Sequence, residues 1–460
     1  MSARAYLRRL SEALVHIQKP IRILKALNWD PQVHARFFRQ GARELPEPTY
    51  LPLDYDPADK VRELMQLRRQ IRGRNPVERA LRRKCEEFVD VVRMLSARGT
   101  RRFFHHSVRI YGQPRQAFRD SGVDNVEIAR LWASRPLRPT ESVEPRMLSA
   151  DEALQVISHI VRPVLGDQCR LKISARLTAD AAAGSTSIAV RKDALFSQRQ
   201  ARALAHHEGL WHVLTSVNGY EQPVLTVLGV GLARFATSQE GGGVVAEYLS
   251  GNISNDRLRE LGERTLAVDM AAQGASYLDV FRYLAHRFPE DKAAQMSERV
   301  FRGGVLDGGA PFTKDAIYQR GYCRVFNFIR HTLENAELDL LLAFFAGKMS
   351  VDDAPLVAAL IDEGLVTPAR HLPGWARDLE SLSAEVTHAQ TVSRFDLGKV
   401  SRYYERLSAE HESGFAGWNA ELEDAARTEG ITEEEEPAHK PRKKRRKTGR
   451  RRTPRSPATA

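Results

Sequence analysis

Cysteine is scarce in this chain. Its 460 residues hold three, Cys85, Cys169 and Cys323, far apart and odd in number. That excludes a disulfide framework and a CxxC-type metal or redox site. Long apolar runs are missing as well. The longest mostly apolar stretch, Val224 to Ala233, is far below the ~20 residues that a membrane-spanning helix needs. Near the N-terminus, Arg4, Arg8, Arg9 and Glu12 have no long apolar stretch behind them, so no signal peptide is expected. The remaining composition, 42% hydrophobic and 28% charged, is that of an ordinary globular protein. The expectation is a soluble protein of a reducing compartment, cytoplasmic and without a membrane partner.

Acidic residues are absent from one segment in particular. Residues 440–460 hold eleven Lys or Arg and no Asp or Glu. Without that segment the formal net charge of +12 falls to +1. The basicity therefore belongs to a tail, and the body is nearly neutral. With no aliphatic or aromatic core former, the tail is expected to be disordered, and an acidic run, Glu433 to Glu436, precedes it. It reads either as an arm for a polyanion such as nucleic acid or as a solvated, solubilising end.

No repeat at a fixed period is visible. Residues 1–145 read as a helical, Arg-rich N-terminal region. Leu64, Leu67 and Ile71 recur at helical spacing, as do Phe88, Val91, Val92 and Leu95. A proline-bearing loop with Pro136, Pro139 and Pro145 closes this region. Residues 146–425 read as a second domain, and 426–460 as the acidic-then-basic tail. Ser149 with Glu152, and Ser197 with Gln200, are capping boxes that each open a helix. The first should run to about Val161, and the second should end near Asn218-Gly219. Between them Leu171, Ile173, Ala175 and Leu177 alternate as one strand, and Ile188 and Val190 as another, with a turn at Ala183-Gly184-Ser185. The fold class is α+β, mostly helical with a small sheet rather than a βαβ series.

The helix from Ser197 carries His206-His207-Glu208-Gly209-Leu210-Trp211-His212. Two histidines around a glutamate follow the logic of a zinc hydrolase: two imidazoles hold the ion and the Glu takes a proton from metal-bound water. The usual spacing is i to i+4, on one helix face. Here it is i to i+5, which on a regular helix splays the imidazoles by roughly 140°. Either the site is not zinc, or the helix carries a one-residue π-bulge, with Gly209 lying inside the spacing. His206 is not expected to be a ligand, since adjacent helical residues diverge by about 100°. Thr237-Ser238-Gln239-Glu240-Gly241 opens what reads as a helix to Leu249, ended by Gly251. Glu240 is either a third ligand or merely the partner of Thr237 in a capping box.

These residues resemble a known signature. His206-His207-Glu208-x-x-x-His212, then Thr215 and Asn218-Gly219, is similar to the pattern of the microtubule-associated tyrosine carboxypeptidases. The resemblance is closer still to their bacterial relatives with a QEGLA motif, at whose place Gln239-Glu240-Gly241 stands. Ala246-Glu247-Tyr248-Leu249, Arg302-Gly303-Gly304, Phe312-Thr313-Lys314-Asp315-x-x-Tyr318 and Pro52-Leu53-Asp54-Tyr55-Asp56 also resemble that family, in the right order over roughly residues 20–375. The chain departs from the pattern twice: Gly242-Gly243 stand in place of Leu-Ala, and Trp211 stands where a small or hydroxyl residue is usual.

The resemblance implies a zinc metallopeptidase-like fold with Zn²⁺ as cofactor, His207, His212 and Glu240 as ligands, and Glu208 as general base. The function it implies is a zinc-dependent metallocarboxypeptidase that hydrolyses a C-terminal residue from a peptide or protein. Such an enzyme needs a cation for the substrate's terminal carboxylate. Arg302, Lys314 and Arg320 are candidates, and Tyr318 is a candidate donor to the oxyanion. Each also reads as a surface charge or a packing residue, Arg320 most readily. The strand Ile188 to Arg191 is expected to offer an edge to an extended peptide. The alternatives are a catalytically degenerate family member, or a polyanion-binding protein acting through its basic tail.

Overall fold

The computed structural model describes residues 2–393 except 74, 119–121, 135–146, 176 and 178, together with 399, 402, 403 and 406. The proline-bearing connector, the boundary expected at residue 146 and the tail at 426–460 lie outside the described residues. Described residues up to Val386 group as one compact unit, and those from Thr387 on as another. No described helix is long and apolar enough to cross a membrane.

The described residues are mostly helical with one small sheet, an α+β architecture. The capping boxes form as expected. The Ser149 side chain accepts from the Glu152 N–H and opens the helix Ala150–Leu165; Ser197 does the same with Gln200 for Gln198–Leu204. In the N-terminal region the helical spacing also holds. Leu64, Leu67 and Ile71 are buried at Pro57–Gln70 and its C-cap, and Val91, Val92 and Leu95 on Pro76–Ser96. These side chains share one apolar core with Ile188, Leu210, Trp211 and Val244. A second, aromatic-rich core gathers Trp29, Phe37, Tyr277, Phe281 and Phe301. Edge-on packing of Phe37 against Tyr277 and Phe281, at 5.4 and 5.0 Å between centroids, closes it.

The sheet has three strands: β1 (Arg170–Ser174), β2 (Ala181–Ala183) and β3 (Ser187–Arg191), in the order β1-β3-β2. β1 runs parallel to β3 with Leu171 opposite Ile188; β2 runs antiparallel with Ala181 opposite Val190. Two expectations are corrected here. The first strand stops at Ser174 instead of continuing through Leu177. And β3 offers no edge, because it is central and hydrogen-bonded on both sides. The edge beside the candidate site is β2, an Ala-Ala-Ala segment whose low strand propensity hid it from the sequence.

The helix Phe235–Leu249 starts two residues before Thr237. Its N-cap is Arg234, in the left-handed region at φ 60°, with no side-chain cap. The Arg234 N–H donates instead to the Glu87 carboxylate. Thr237 lies inside the helix, so the capping-box reading of Thr237 and Glu240 does not hold.

Candidate metal centre

The segment after Ser197 is not one regular helix. Between the α-helical pieces Gln198–Leu204 and Leu214–Tyr220, residues Ala205–Val213 form a π-helix. Its i→i+5 hydrogen bonds stack residues five apart, one turn above the other. The spacing of His207 and His212 is therefore the π-helical equivalent of i to i+4. Their rings lie 4.9 Å apart between centroids at an interplanar angle of 72°. Gly209 lets the segment pack closely: a Cβ there would lie 2.4 Å from Val161 Cγ2 and 3.2 Å from Ile188 Cδ1.

The helix Phe235–Leu249 crosses the π segment through its glycines, and each of the three meets a different partner. A Cβ on Gly241 would fall 1.9 Å from the Gly321 backbone, on the helix Ile317–Glu334. On Gly242 it would fall 1.9 Å from Trp211 Cζ2, and on Gly243 2.6 Å from the His207 ring. Absence of side chains at these positions brings the helix, and Glu240 with it, against the histidines. Gly242 and Trp211 thus share one volume. The fully buried Trp211 ring occupies the room that a side chain at position 242 would fill, and its Nε1 donates to the Gln239 carbonyl at 2.8 Å.

His207, His212 and Glu240 each turn a donor atom to a common point, all within 4.8 Å of one another. His212 Nε2 and Glu240 Oε2 are 3.8 Å apart. The two Nδ1 atoms are already engaged: that of His207 with Glu247 at 2.7 Å, that of His212 with Gln239 Oε1 at 3.1 Å. Orientation of the outer nitrogen by a carboxylate or amide, leaving Nε2 inward, is how metal-binding histidines are held. Two imidazoles and a carboxylate, with second-sphere partners in place, fit a divalent ion. His206 stays outside this cluster, as its position on the helix requires, with Nδ1 buried and without a hydrogen bond among the described residues.

Electrostatics favour an ionised site. Burial works against charge on Glu240, but Lys314 and then His212 outweigh it and hold the carboxyl well below its ordinary value. Lys314 Nζ bonds Glu240 Oε1 and reaches the Tyr318 hydroxyl at 3.2 Å. Glu240 thus splits its oxygens between the histidine side and the lysine. Burial likewise opposes protonation of His207, yet Glu247 raises its pKa above the ordinary value. Glu247 is buried and also accepts two bonds from Arg257, at 3.2 and 3.1 Å. Glu208 is half-buried, and its Oε2 accepts from the Ala183 N–H at the end of β2 at 2.8 Å, while Oε1 has no hydrogen bond among the described residues.

The substrate-side candidates divide. Lys314 sits on a turn, Thr313–Ala316, pinned from both sides. Ser107 Oγ bonds Thr313, and buried Asp315 takes paired bonds from both Arg264 and Arg299 at 2.7–2.9 Å. Tyr318 lies under two cations, Arg264 at 4.5 Å and Lys314 at 4.9 Å from its ring centroid. Arg302 is 3% exposed, lies 5.6 Å over Phe312, and its Nε has no hydrogen bond among the described residues. Burial, reinforced by Arg299, lowers its pKa to about 10. Arg320 donates to the Gln116 carbonyl at 2.8 Å. Sequence reasoning did not single out Glu247, Gln239 or Lys348 for a role at the site. For Glu247 a signal was present: it follows Glu240 by seven residues, two turns along the same helix face.

A family model described as microtubule-associated tyrosine carboxypeptidase matches residues 35–394. No curated protein matches the chain.

Proposed function

The chain belongs to the microtubule-associated tyrosine carboxypeptidase family, a family of carboxypeptidase type, and from that premise we propose that it is a zinc-dependent metallocarboxypeptidase acting on a peptide or protein C-terminus. The observation that carries this reading is the convergence of His207, His212 and Glu240, with Glu208 beside them on the same π segment.

His207, His212 and Glu240 would hold the ion. The chemistry zinc supplies is Lewis acidity toward a carbonyl oxygen and toward water. Glu208 is the proton carrier. Its Oε2 is fixed by the Ala183 N–H, so Oε1 is the atom that takes a proton from water and returns it to the leaving amine. Glu247 and Gln239 hold the imidazoles in the tautomer and orientation that keep Nε2 directed inward. Lys314 neutralises Glu240 Oε1 and so fixes which oxygen faces the histidines. The Tyr318 hydroxyl accepts from Lys314, which frees its own proton for a developing oxyanion. Arg302, buried over Phe312, adds positive charge near Tyr318 without reaching the surface.

The test combines elemental analysis with hydrolysis of C-terminal peptides, with and without chelator, in wild type and in Glu208→Gln. The expected result is about one zinc per chain, chelator-sensitive hydrolysis, and a variant that keeps zinc and loses nearly all turnover. Wild-type turnover in Glu208→Gln would remove the base from this scheme. Separately, the eleven cations of residues 440–460 support a polyanion-binding arm on the same chain. That arm is the one alternative site of action favoured by a specific observation.

A further inference from the structure

On the peptidase reading, on which this inference rests, the chain must hold a cation for the terminal carboxylate of its substrate. Among the described residues the cations near the centre are not equally available. Lys314 is paired with Glu240. Arg302 is all but inaccessible, packed over Phe312.

Lys348 differs from both. It lies on the loop after the helix Leu338–Ala343, and that loop is clamped between the two elements that carry the candidate ligands. On one side Phe344 and Phe345 pack on Trp211 of the π segment, at 5.6 and 5.7 Å between centroids. On the other, the Val351 N–H donates to Ser238 Oγ at 3.1 Å, two residues before Glu240. Lys348 itself is held by its backbone: its N–H donates to the Leu228 carbonyl at 2.7 Å, and its carbonyl accepts from the Leu232 N–H at 2.9 Å. Gly347 makes this approach possible, because a Cβ there would lie 2.5 Å from Leu228 Cβ. The Lys348 side chain is half-buried and forms no ion pair or hydrogen bond with any described residue. The charges that act on it are those of Glu240 and Glu208.

A half-buried ammonium that pairs with no described residue and feels the charges of Glu240 and Glu208 only at a distance is costly unless an anion arrives there. We propose that Lys348 is the residue that binds the terminal carboxylate of the peptide substrate, through a charge-assisted bond from Nζ. Its rigid backbone sets the carboxylate at a fixed reach from Glu208, so that only the last peptide bond of a chain presents its carbonyl to the centre. Burial lowers the Lys348 pKa to about 8 against the pull of Glu240 and Glu208, which is consistent with a site that gains from an added negative charge.

The experiment uses the full-length, zinc-loaded protein and a pool of N-acetylated tripeptides varied at the last residue, each as free acid and as C-terminal amide. Wild type is expected to cleave at least one free acid and to disfavour its amide. Lys348→Met should raise KM for that free acid about 10- to 100-fold, the range for losing a bond between two charged groups, with kcat changed far less. Its preference for acid over amide should collapse, and Lys348→Arg should retain most of it. Binding of the same free acid to Glu208→Gln, which cannot turn it over, should weaken by the same factor when Lys348→Met is added. An unaltered acid preference in Lys348→Met, or its loss in Arg302→Met alone, overturns the assignment while leaving the peptidase reading intact. A zinc-loaded wild type that cleaves no free acid in the pool overturns both.

Discussion

If the buried ring of Trp211 occupies the room of a side chain at position 242, the two positions must be energetically coupled. In Gly242→Ala the new Cβ would lie 1.9 Å from Cζ2 and 2.2 Å from Cε2 of Trp211. The ring has nowhere to go. It is fully buried, flanked by Phe344 and Phe345, and tethered by Nε1 to the Gln239 carbonyl. Overpacking costs about 1–3 kcal/mol, and an indole N–H left without its partner about 1–3 kcal/mol more. Better helix propensity returns about 1 kcal/mol. The net expected loss is on the order of 3 kcal/mol. Trp211→Ala opens a cavity in the same place and should lose about 3–5 kcal/mol. In Trp211→Ala/Gly242→Ala the added methyl enters that cavity instead of striking the ring. The pair should therefore be more stable than the sum of the single variants by at least about 1 kcal/mol, within the range for residues in contact. Urea unfolding followed by circular dichroism on the four proteins measures this coupling. Additivity within about 0.5 kcal/mol would refute the reasoning and show that the two positions are energetically independent.

Glu247→Gln removes the charge that orients His207 Nδ1 and balances Arg257. Zinc affinity, read by competition with a chromophoric chelator, should fall about 10- to 100-fold, and an unchanged affinity would show that Glu247 serves only Arg257. Glu260 is surrounded by Lys292, Arg257 and Arg264, and these outweigh its burial to bring its pKa down to about 2. A carboxyl depressed from an unfolded value of 4.5 contributes about 3 kcal/mol above that value and loses it as pH falls from about 4.5 toward 2. The stability margin of wild type over Glu260→Gln should accordingly narrow across that window and stay flat between pH 6 and 8; a margin unaffected by acid would rule out the charge as its source. A chain ending at residue 430 should lose its salt-dependent binding to heparin yet keep zinc and the hydrolysis of a short neutral peptide. Loss of hydrolysis on truncation would place the tail within the catalytic unit.

The candidate ligand and base types were legible in the order of the amino acids, because donor chemistry is a property of side chains. His207, Glu208 and His212 stood out by type and spacing, Glu240 joined them through the family resemblance, and the capping boxes at Ser149 and Ser197 announced their helices because a cap acts within four residues. Helical burial of Leu64, Leu67 and Val91 followed from periodicity alone. The order of residues could also state the central conflict, an i to i+5 histidine pair on a helix, and could name a π-bulge as one solution.

Which solution holds was decided by tertiary packing. The π register is the one in which Gly209 meets Val161 and β3, and in which the helix Phe235–Leu249 can close on His207 and Trp211 through Gly243 and Gly242. None of those partners lies near the motif in sequence. The same holds for Lys314 on Glu240, seventy-four positions away, for the Ala183 N–H on Glu208, and for Lys348 on its clamped loop. Local rules determined the helices and the donor types. Distances between donors depend on side chains and backbone brought together from separate elements, and only the folded chain sets those.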